Sequence, residues 1–319
     1  MLNVKLSIIV PIFKAELYVE KCARSLMEQT MKDGIEFIFV NDCTPDNSMQ
    51  ILERVLADYP ERTSQVIIVN NLENVGVCES RRRGLEHAKG LYIGWCDSDD
   101  WCDKNMFETM CLVAESRSLD IVVCNYWEFS NGVNRLIVID HSNNPQEAIA
   151  NPRKCRSFSG VLWNQIIKKE LYDKCWNSIV PTDYSEDTYI LFHIYYYAKT
   201  LEIVDKPLCF YRTDNEHSLV HVRDDSKDAW LIQQENLERV ERLYYQDDGW
   251  ARFHVAINAF IFERKCLYKG AFASNKEFFN TCRYASRDIL RFYDWRKLSN
   301  WKIYLANNLF FIYRLVNYN

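Results

Sequence analysis

Short apolar runs and helical stripes alternate along the first 125 residues. Leu6–Val10 is a continuous apolar-leaning run that stops at Pro11. Val19, Cys22, Ala23, Leu26 and Met27 then recur at i, i+3, i+4, i+7 and i+8, one face of a helix. Ile35–Val40, Gln65–Val69, Leu91–Cys96 and Asp120–Asn125 read as further strands. Helices fall between them. Thr44-Pro45 offers an N-cap and a proline at the first position of one ending near Tyr59; Cys78–Ala88 and Lys104–Ser116 form the others. Near-continuous apolar strands separated by helices predict an α/β fold with a mostly parallel sheet flanked by helices on both faces.

The pattern weakens from Glu128 to Asn151, a polar divider with an edge strand expected at Leu136–Ile139. Helices are expected at Trp163–Lys174 and at Glu186–Lys199, where Ile190, Leu191, Ile194, Tyr195 and Ala198 share a face. Short strands follow at Leu201–Val204 and Leu208–Arg212, and beyond Arg223 the chain reads as helical to its end. The organisation expected is therefore a unit at 1–222, split into halves at 1–127 and 128–222, and a helical C-terminal region at 223–319.

Composition acts mainly by exclusion. The 319 residues are 48% hydrophobic and 26% charged, enough apolar chain to bury a sizeable core and too much for a disordered one. Twelve cysteines include no C-x-x-C, which argues against structural zinc and a thioredoxin-type redox site. Thiols set in apolar runs act as small hydrophobes, and reduced thiols fit a cytoplasmic location. The N-terminus turns polar too early for a signal peptide, and no stretch reaches about 18 uninterrupted apolar residues. Nine glycines contain no G-x-G, and G-K-[ST] is absent, so the dinucleotide and P-loop fingerprints are both missing.

Net charge is −5, but it is unevenly spread. Residues 249–319 carry 12 Lys and Arg against 4 Asp and Glu, a surplus of +8; the preceding 248 residues hold 27 against 40, or −13. Nucleic acid is not an expected partner.

In an open α/β sheet, ligands bind outside the carboxyl ends of the strands. Pro11 and Phe13 follow the first strand, Asp42 the second, and Asp97-Ser98-Asp99-Asp100 the fourth. Two carboxylates one residue apart can chelate a hard divalent cation, and such a cation bridges phosphate oxygens. The alternative is a solvated turn whose Asp caps the next helix. Arg81, Arg82 and Arg83 could present one or two guanidinium groups to a diphosphate, the remainder forming a solvated face. Glu186-Asp187 opens a helix, where acidic residues suit the dipole but could also supply a general base.

These residues resemble the family 2 inverting glycosyltransferases. The resemblance rests on S-I-I-V-P-I-F at 7–13, F-V-N-D-C-T-P-D-N-S at 39–48, N-V-G at 74–76 with Arg81 and Gly84, and W-C-D-S-D-D-W at 95–101. It continues through D-I-V-V-C-N-Y at 120–126, W-N-Q-I-I-K-K-E-L at 163–171, S-E-D at 185–187 and P-L-C-F-Y-R at 207–212, covering about 1–220 in order. It implies that 1–127 is a nucleotide-sugar-binding half and 128–222 an acceptor half. Pro11, Phe13, Glu16, Asp42, Arg81, Asp97 and Ser98 would bind the nucleotide sugar, with Arg81 near the diphosphate. Asp99 with Asp97 would ligate Mn²⁺ or Mg²⁺. Asp187, with Glu186 beside it, would be the catalytic base, and Trp163 and Asn164 would face the acceptor. His217 or His221 could join the metal, although ordinary loop histidines are the simpler reading, and His193 reads as packing. Lys14, Asn41, Glu79 and Arg82 depart from the usual family residues, which bears on donor identity and leaves the metal ligands and the base intact.

The resemblance implies transfer of a sugar, from a UDP-sugar in the first instance, to a glycan or lipid-linked glycan hydroxyl in polysaccharide biosynthesis. A non-catalytic sugar-nucleotide-binding subunit of an assembly complex is the alternative. A nucleotidyltransferase would need a glycine-rich loop where P-I-F-K-A-E stands. The tail, with Trp301, Tyr304, Phe310 and Phe311 among Arg296, Lys297, Lys302 and Arg314, suits an anionic bilayer surface at the inner face of the cytoplasmic membrane. Packing on the acceptor half or in a homodimer is the other use for those aromatics.

Overall fold

A computed structural model describes residues 4–139, 160–182 and 186–215, with scattered positions at 143–148, 218, between 232 and 243, and at 301. The strands are β1 (Leu6–Ile12), β2 (Ile35–Asn41), β3 (Val66–Asn70), β4 (Tyr92–Trp95), β5 (Trp101–Cys102), β6 (Ile121–Ser130), β7 (Val133–Ile137), β8 (Gln165–Lys168) and β9 (Leu201–Arg212). The helices are α1 (Val19–Met27), α2 (Ser48–Ala57), α3 (Val77–His87), α4 (Met106–Arg117), α5 (Lys169–Cys175) and α6 (Glu186–Tyr197), with 3-10 turns at Pro60–Gln65 and Trp176–Ser178.

Among the described residues the strands form one sheet in the order β3-β2-β1-β4-β8-β6-β9-β5, with β7 hydrogen-bonded to β6. β1 pairs parallel with β2 and β4, β2 with β3, and β6 with β9, whereas β8, β5 and β7 run antiparallel to their neighbours. The pairings among β1–β4 are parallel as expected, but the sheet as a whole is mixed, with four parallel and four antiparallel pairings among the described residues. Successive strand residues point to opposite faces, and here both faces are buried. Ile9, Ile38 and Ile93 join α5 and α6 in one apolar cluster; Ile8, Val10, Phe37 and Phe39 join α1 and α4 in the other. The five residues expected to line α1's buried face are the five it buries.

Four elements differ from expectation. α2 starts at Ser48 because Asp46 accepts from Thr44 Oγ1 (2.7 Å) and from the Ser48 hydroxyl and N–H (2.6 and 3.1 Å), so Thr44-Pro45 lies in a turn ahead of the helix. The expected helix at Trp163–Lys174 is β8 followed by α5, since Ile166 and Ile167 fill opposite faces of the sheet between β4 and β6. The expected divider is a hairpin: Asn131 and Gly132 both have positive φ (49° and 82°) and turn β6 into β7, which runs from Val133 to Ile137 where an edge strand is expected at Leu136–Ile139. The strands expected at Leu201–Val204 and Leu208–Arg212 are one strand. Pro207, which has no N–H, sits where its register with β6 shifts.

α3 approaches the sheet at Gly84, where a Cβ would meet Ile9 Cγ2 and lie 3.1 Å from Val40 Cγ2. The region expected to be helical beyond Arg223 falls mostly outside the described residues. Asn236 is described as helical and buried, and its side chain exchanges two hydrogen bonds with the Val180 backbone (2.8 and 2.9 Å). Of the residues named for the membrane tail, Trp301 alone is described, 43% exposed; the others lie outside the described residues. Among the described residues no helix is long and apolar enough to cross a membrane.

Candidate active site

Parallel pairing brings the C-terminal ends of β1, β2 and β4 to one edge of the sheet, and the end of β9 meets it there, where the Arg212 N–H donates to Asp100. Phe13, 40% exposed, lies just past β1, and Pro11 is buried within it opposite Val40. Glu16 is tied to the next loop, accepting from Asn47 N–H (3.2 Å) and Nδ2 (3.1 Å). Asp42 is buried and accepts from Asn71 Nδ2 (2.8 Å), Val75 N–H (2.9 Å) and Gly76 N–H (3.0 Å). It thereby anchors the turn into α3, where Gly76 takes φ 85°, a conformation suited to glycine. Arg82 and Arg83 are engaged on the helix surface, with Glu79 and Glu86 and with Glu79 and Asn71 respectively.

Arg81 is different. It is 2% exposed and gathers three carboxylates from two distant parts of the chain. Nη2 donates to Asp97 Oδ1 (2.7 Å); Nη1 donates to Asp187 Oδ1 (2.7 Å) and to Glu186 Oε1. Its buried Nε has no hydrogen-bond partner. Asp187 Oδ2 accepts from the Leu162 N–H (3.1 Å), which fixes the plane of the carboxylate. Burial pushes Asp187 and Glu186 up from the usual carboxylate range, and Arg81 opposes the rise in both. The hydrogen bond between the two raises Glu186 and lowers Asp187. Of the two, Glu186 is the more strongly raised.

The acidic run after β4 is crowded. Burial, then the neighbouring Asp97 charge, pushes Asp99 up to about 6. Burial with Asp99 and Asp97 also holds Asp100 well above its ordinary value, and Asp100 Oδ2 is buried without a partner. Asp99 Oδ2 accepts from Asn215 Nδ2 (2.8 Å), and Asp100 Oδ1 from the Arg212 N–H (2.7 Å). Such crowded hard-oxygen donors fit Mn²⁺ or Mg²⁺, whose charge would relieve the repulsion. Among the described residues no group of three or more His, Cys, Asp or Glu is arranged to hold a metal. His217 and His221 lie outside the described residues. His193 is buried in α6, as packing predicts.

Trp163, 5% exposed, stacks on Tyr211 (centroids 5.0 Å) and meets Tyr126 edge-on (4.7 Å). Burial and then Asp100, Asp97 and Asp99 raise the Tyr211 hydroxyl, which places this aromatic wall beside the acidic run. Asn164 is fully enclosed; its amide donates to the Cys124 carbonyl (3.2 Å), so its contact is with β6. Sequence reasoning gave no role to the Leu162 N–H, Asn215 or Arg212. Of these, Arg212 alone left a signal, as the last residue of the P-L-C-F-Y-R run.

An acidic cluster at the carboxyl edge of a mixed sheet, bridged by an arginine to a carboxylate pair on a second-half helix, defines an α/β group-transfer site. The chain belongs to glycosyl transferase family 2, whose family model matches residues 7–184. It is 30% identical over 226 residues to the uncharacterized glycosyltransferase EpsJ of Bacillus subtilis (strain 168), covering 68% of this chain and 63% of that one, so the chain spans less than two thirds of this relative. Its fold is that of S. aureus TarS 1-349, solved in complex with UDP-GlcNAc: TM-score 0.71, 16% identity, covering 96% of this chain and 92% of that one. The mannosyltransferase PcManGT from Pyrobaculum calidifontis, solved with GDP-Man and Mn²⁺, is more distant: TM-score 0.54, 15% identity, covering 98% and 82%.

Proposed function

We propose that the chain is an inverting, metal-dependent glycosyltransferase that moves a sugar from a UDP-sugar to a hydroxyl of a glycan or lipid-linked glycan in polysaccharide biosynthesis. The observation that carries this reading is the Arg81 bridge, which joins Asp97 to the Glu186-Asp187 pair. In this reading Asp187, whose carboxylate is held by Arg81 and the Leu162 N–H, is the general base. The acceptor hydroxyl attacks the anomeric carbon in line, Asp187 takes its proton, and the nucleoside diphosphate leaves from the opposite face. One displacement of this kind inverts the configuration. Asp97 and Asp99 would hold Mn²⁺ or Mg²⁺, which supplies charge neutralisation for the leaving diphosphate. Phe13, exposed at the strand edge, offers a face for the nucleotide, and Trp163 with Tyr211 forms a wall on the acceptor side. The UDP-GlcNAc complex of TarS supports a UDP-sugar, and the Mn²⁺ complex of PcManGT supports the cation.

The test is nucleotide release across a panel of nucleotide sugars with Mn²⁺ and mixed acceptors, with the product anomer read by NMR coupling. Asp187→Asn should keep donor binding and lose about 10²- to 10⁴-fold in turnover, the usual contribution of a general base. Near-normal transfer by that variant would move the base elsewhere.

A further inference from the structure

The acidic run Asp97–Asp100 is held from its far side by the end of β9. Trp101 and Cys102, directly after the run, pair antiparallel with Phe210 and Cys209. Two residues further along β9, the Arg212 N–H donates to Asp100 Oδ1 (2.7 Å) while its Nε donates to the Asp99 carbonyl (3.1 Å). The guanidinium is fixed in turn. It lies 4.9 Å from the Tyr18 ring centroid, 5.2 Å from Trp101 and 5.0 Å from Phe129, and Nη1 donates to Asp214 Oδ1 (3.1 Å). Asp214 is held by the Asn131 N–H (2.8 Å), and the Thr213 N–H donates to the Phe129 carbonyl (2.9 Å). Asn215, itself buried, completes the set by donating from Nδ2 to Asp99 Oδ2 (2.8 Å).

We infer that Arg212 and Asn215 are positioning residues that set the orientation of Asp99 toward a metal-bound nucleoside diphosphate. Arg212 fixes the backbone of Asp99 through its carbonyl, and Asn215 fixes the plane of its carboxylate. Neither residue needs to touch the nucleotide. An arginine suits the first task because its planar guanidinium stacks among aromatic rings while it donates in fixed directions, which an ammonium does not do. A neutral amide suits the second because it orients the carboxylate without taking up its charge. This inference rests on the proposed role of Asp99 in holding the cation.

The experiment measures UDP affinity by calorimetry in Mn²⁺ and again in EDTA, without turnover, for the wild-type chain, Asp99→Asn, Arg212→Lys and Asn215→Ala. Partners that orient a metal ligand typically contribute about 10- to 100-fold in metal affinity. Arg212→Lys and Asn215→Ala should each lose about tenfold or more of the Mn²⁺-dependent gain in UDP affinity while keeping the EDTA value and the melting temperature. A merely structural role would lower both affinities together, and that result overturns the inference. An Mn²⁺ gain that Asp99→Asn abolishes but both other variants keep overturns the positioning role alone. A wild-type chain with no Mn²⁺ gain, or one that Asp99→Asn retains, overturns the proposed role of Asp99 and this inference with it.

Discussion

Replacing Arg81 with methionine separates a structural bridge from a simple phosphate grip. Methionine keeps an apolar stem of similar reach and removes every guanidinium N–H. Three carboxylates then share one edge without their counter-charge, and their side chains are 29% (Asp97), 10% (Glu186) and 14% (Asp187) exposed. Breaking a buried pair by removing one partner costs about 3–5 kcal/mol. Partial hydration of Asp97 favours the lower end. At roughly 2–4 °C per kcal/mol for a large domain, the midpoint should fall by roughly 10 °C. The pH dependence has a definite sign. Burial already raises Glu186 and Asp187, and losing Arg81 removes the group that opposes the rise. Acids whose folded pKa lies above the unfolded value contribute stability at low pH and lose it as pH rises through the folded pKa. The deficit of Arg81→Met should therefore be small at about pH 5 and full at about pH 8. Urea unfolding of both proteins at the two pH values reads it directly. A deficit under about 1 kcal/mol at both would refute the bridge.

Other consequences follow from the packing and the charge distribution. Gly84→Ala places a methyl group against the buried, branched Ile9 and Val40 side chains; overpacking of this kind costs about 1–3 kcal/mol, and the better helix propensity of alanine returns up to about 1. A midpoint equal to wild type would show that α3 has room to move. Burial, with Arg239 adding to it, lowers His193 to about 4. The unfolded chain binds that proton near pH 6.5, so this contribution is full above pH 6.5 and is lost as pH falls toward about 4, by up to about 3 kcal/mol. His193→Gln should flatten that part of the urea-midpoint profile; an unchanged slope would assign it to other groups. Vesicles containing anionic lipid should sediment the whole chain and not one ending at Asp248, and equal partitioning would retire the membrane role of the basic tail.

The first-half strands and α1 were legible in the sequence because both sheet faces are buried and the pattern had no competing reading. Four-residue β8 was not, because a short apolar run cannot be told from a helix by periodicity alone. It is a strand because of the slot between β4 and β6, which no local signal records. β9 was read as two pieces at Asp205-Lys206-Pro207, since exposed charge and a proline look like a break; the bulge opposite Asn125 absorbs them. The candidate site residues are nameable from the sequence by type alone. Asp97, Asp99, Arg81, Glu186 and Asp187 all lie at one edge, but their pairing was not readable. Arg81 was expected beside a diphosphate, and its carboxylate partners on α6 are more than 100 residues away in sequence.

That separation explains how the two halves divide the work. The first half presents Asp97 and Asp99 at a strand end, where burial and then the Asp97 charge push Asp99 up to about 6. The second half supplies what counters this: Glu186 and Asp187 lock Arg81 against Asp97, while Arg212 and Asn215 hold Asp99 and Asp100. Arg81 contributes one positive charge to three carboxylates, so this cluster keeps a surplus of acidic groups over the one cation. A site that bound only a diphosphate would gain from neutralising that surplus. One that must also take a proton from an acceptor needs some of it left, on a carboxylate that is ionised and held in place. Asp187, between the Arg81 guanidinium and the Leu162 N–H, is held in place, as the base role proposed for it requires.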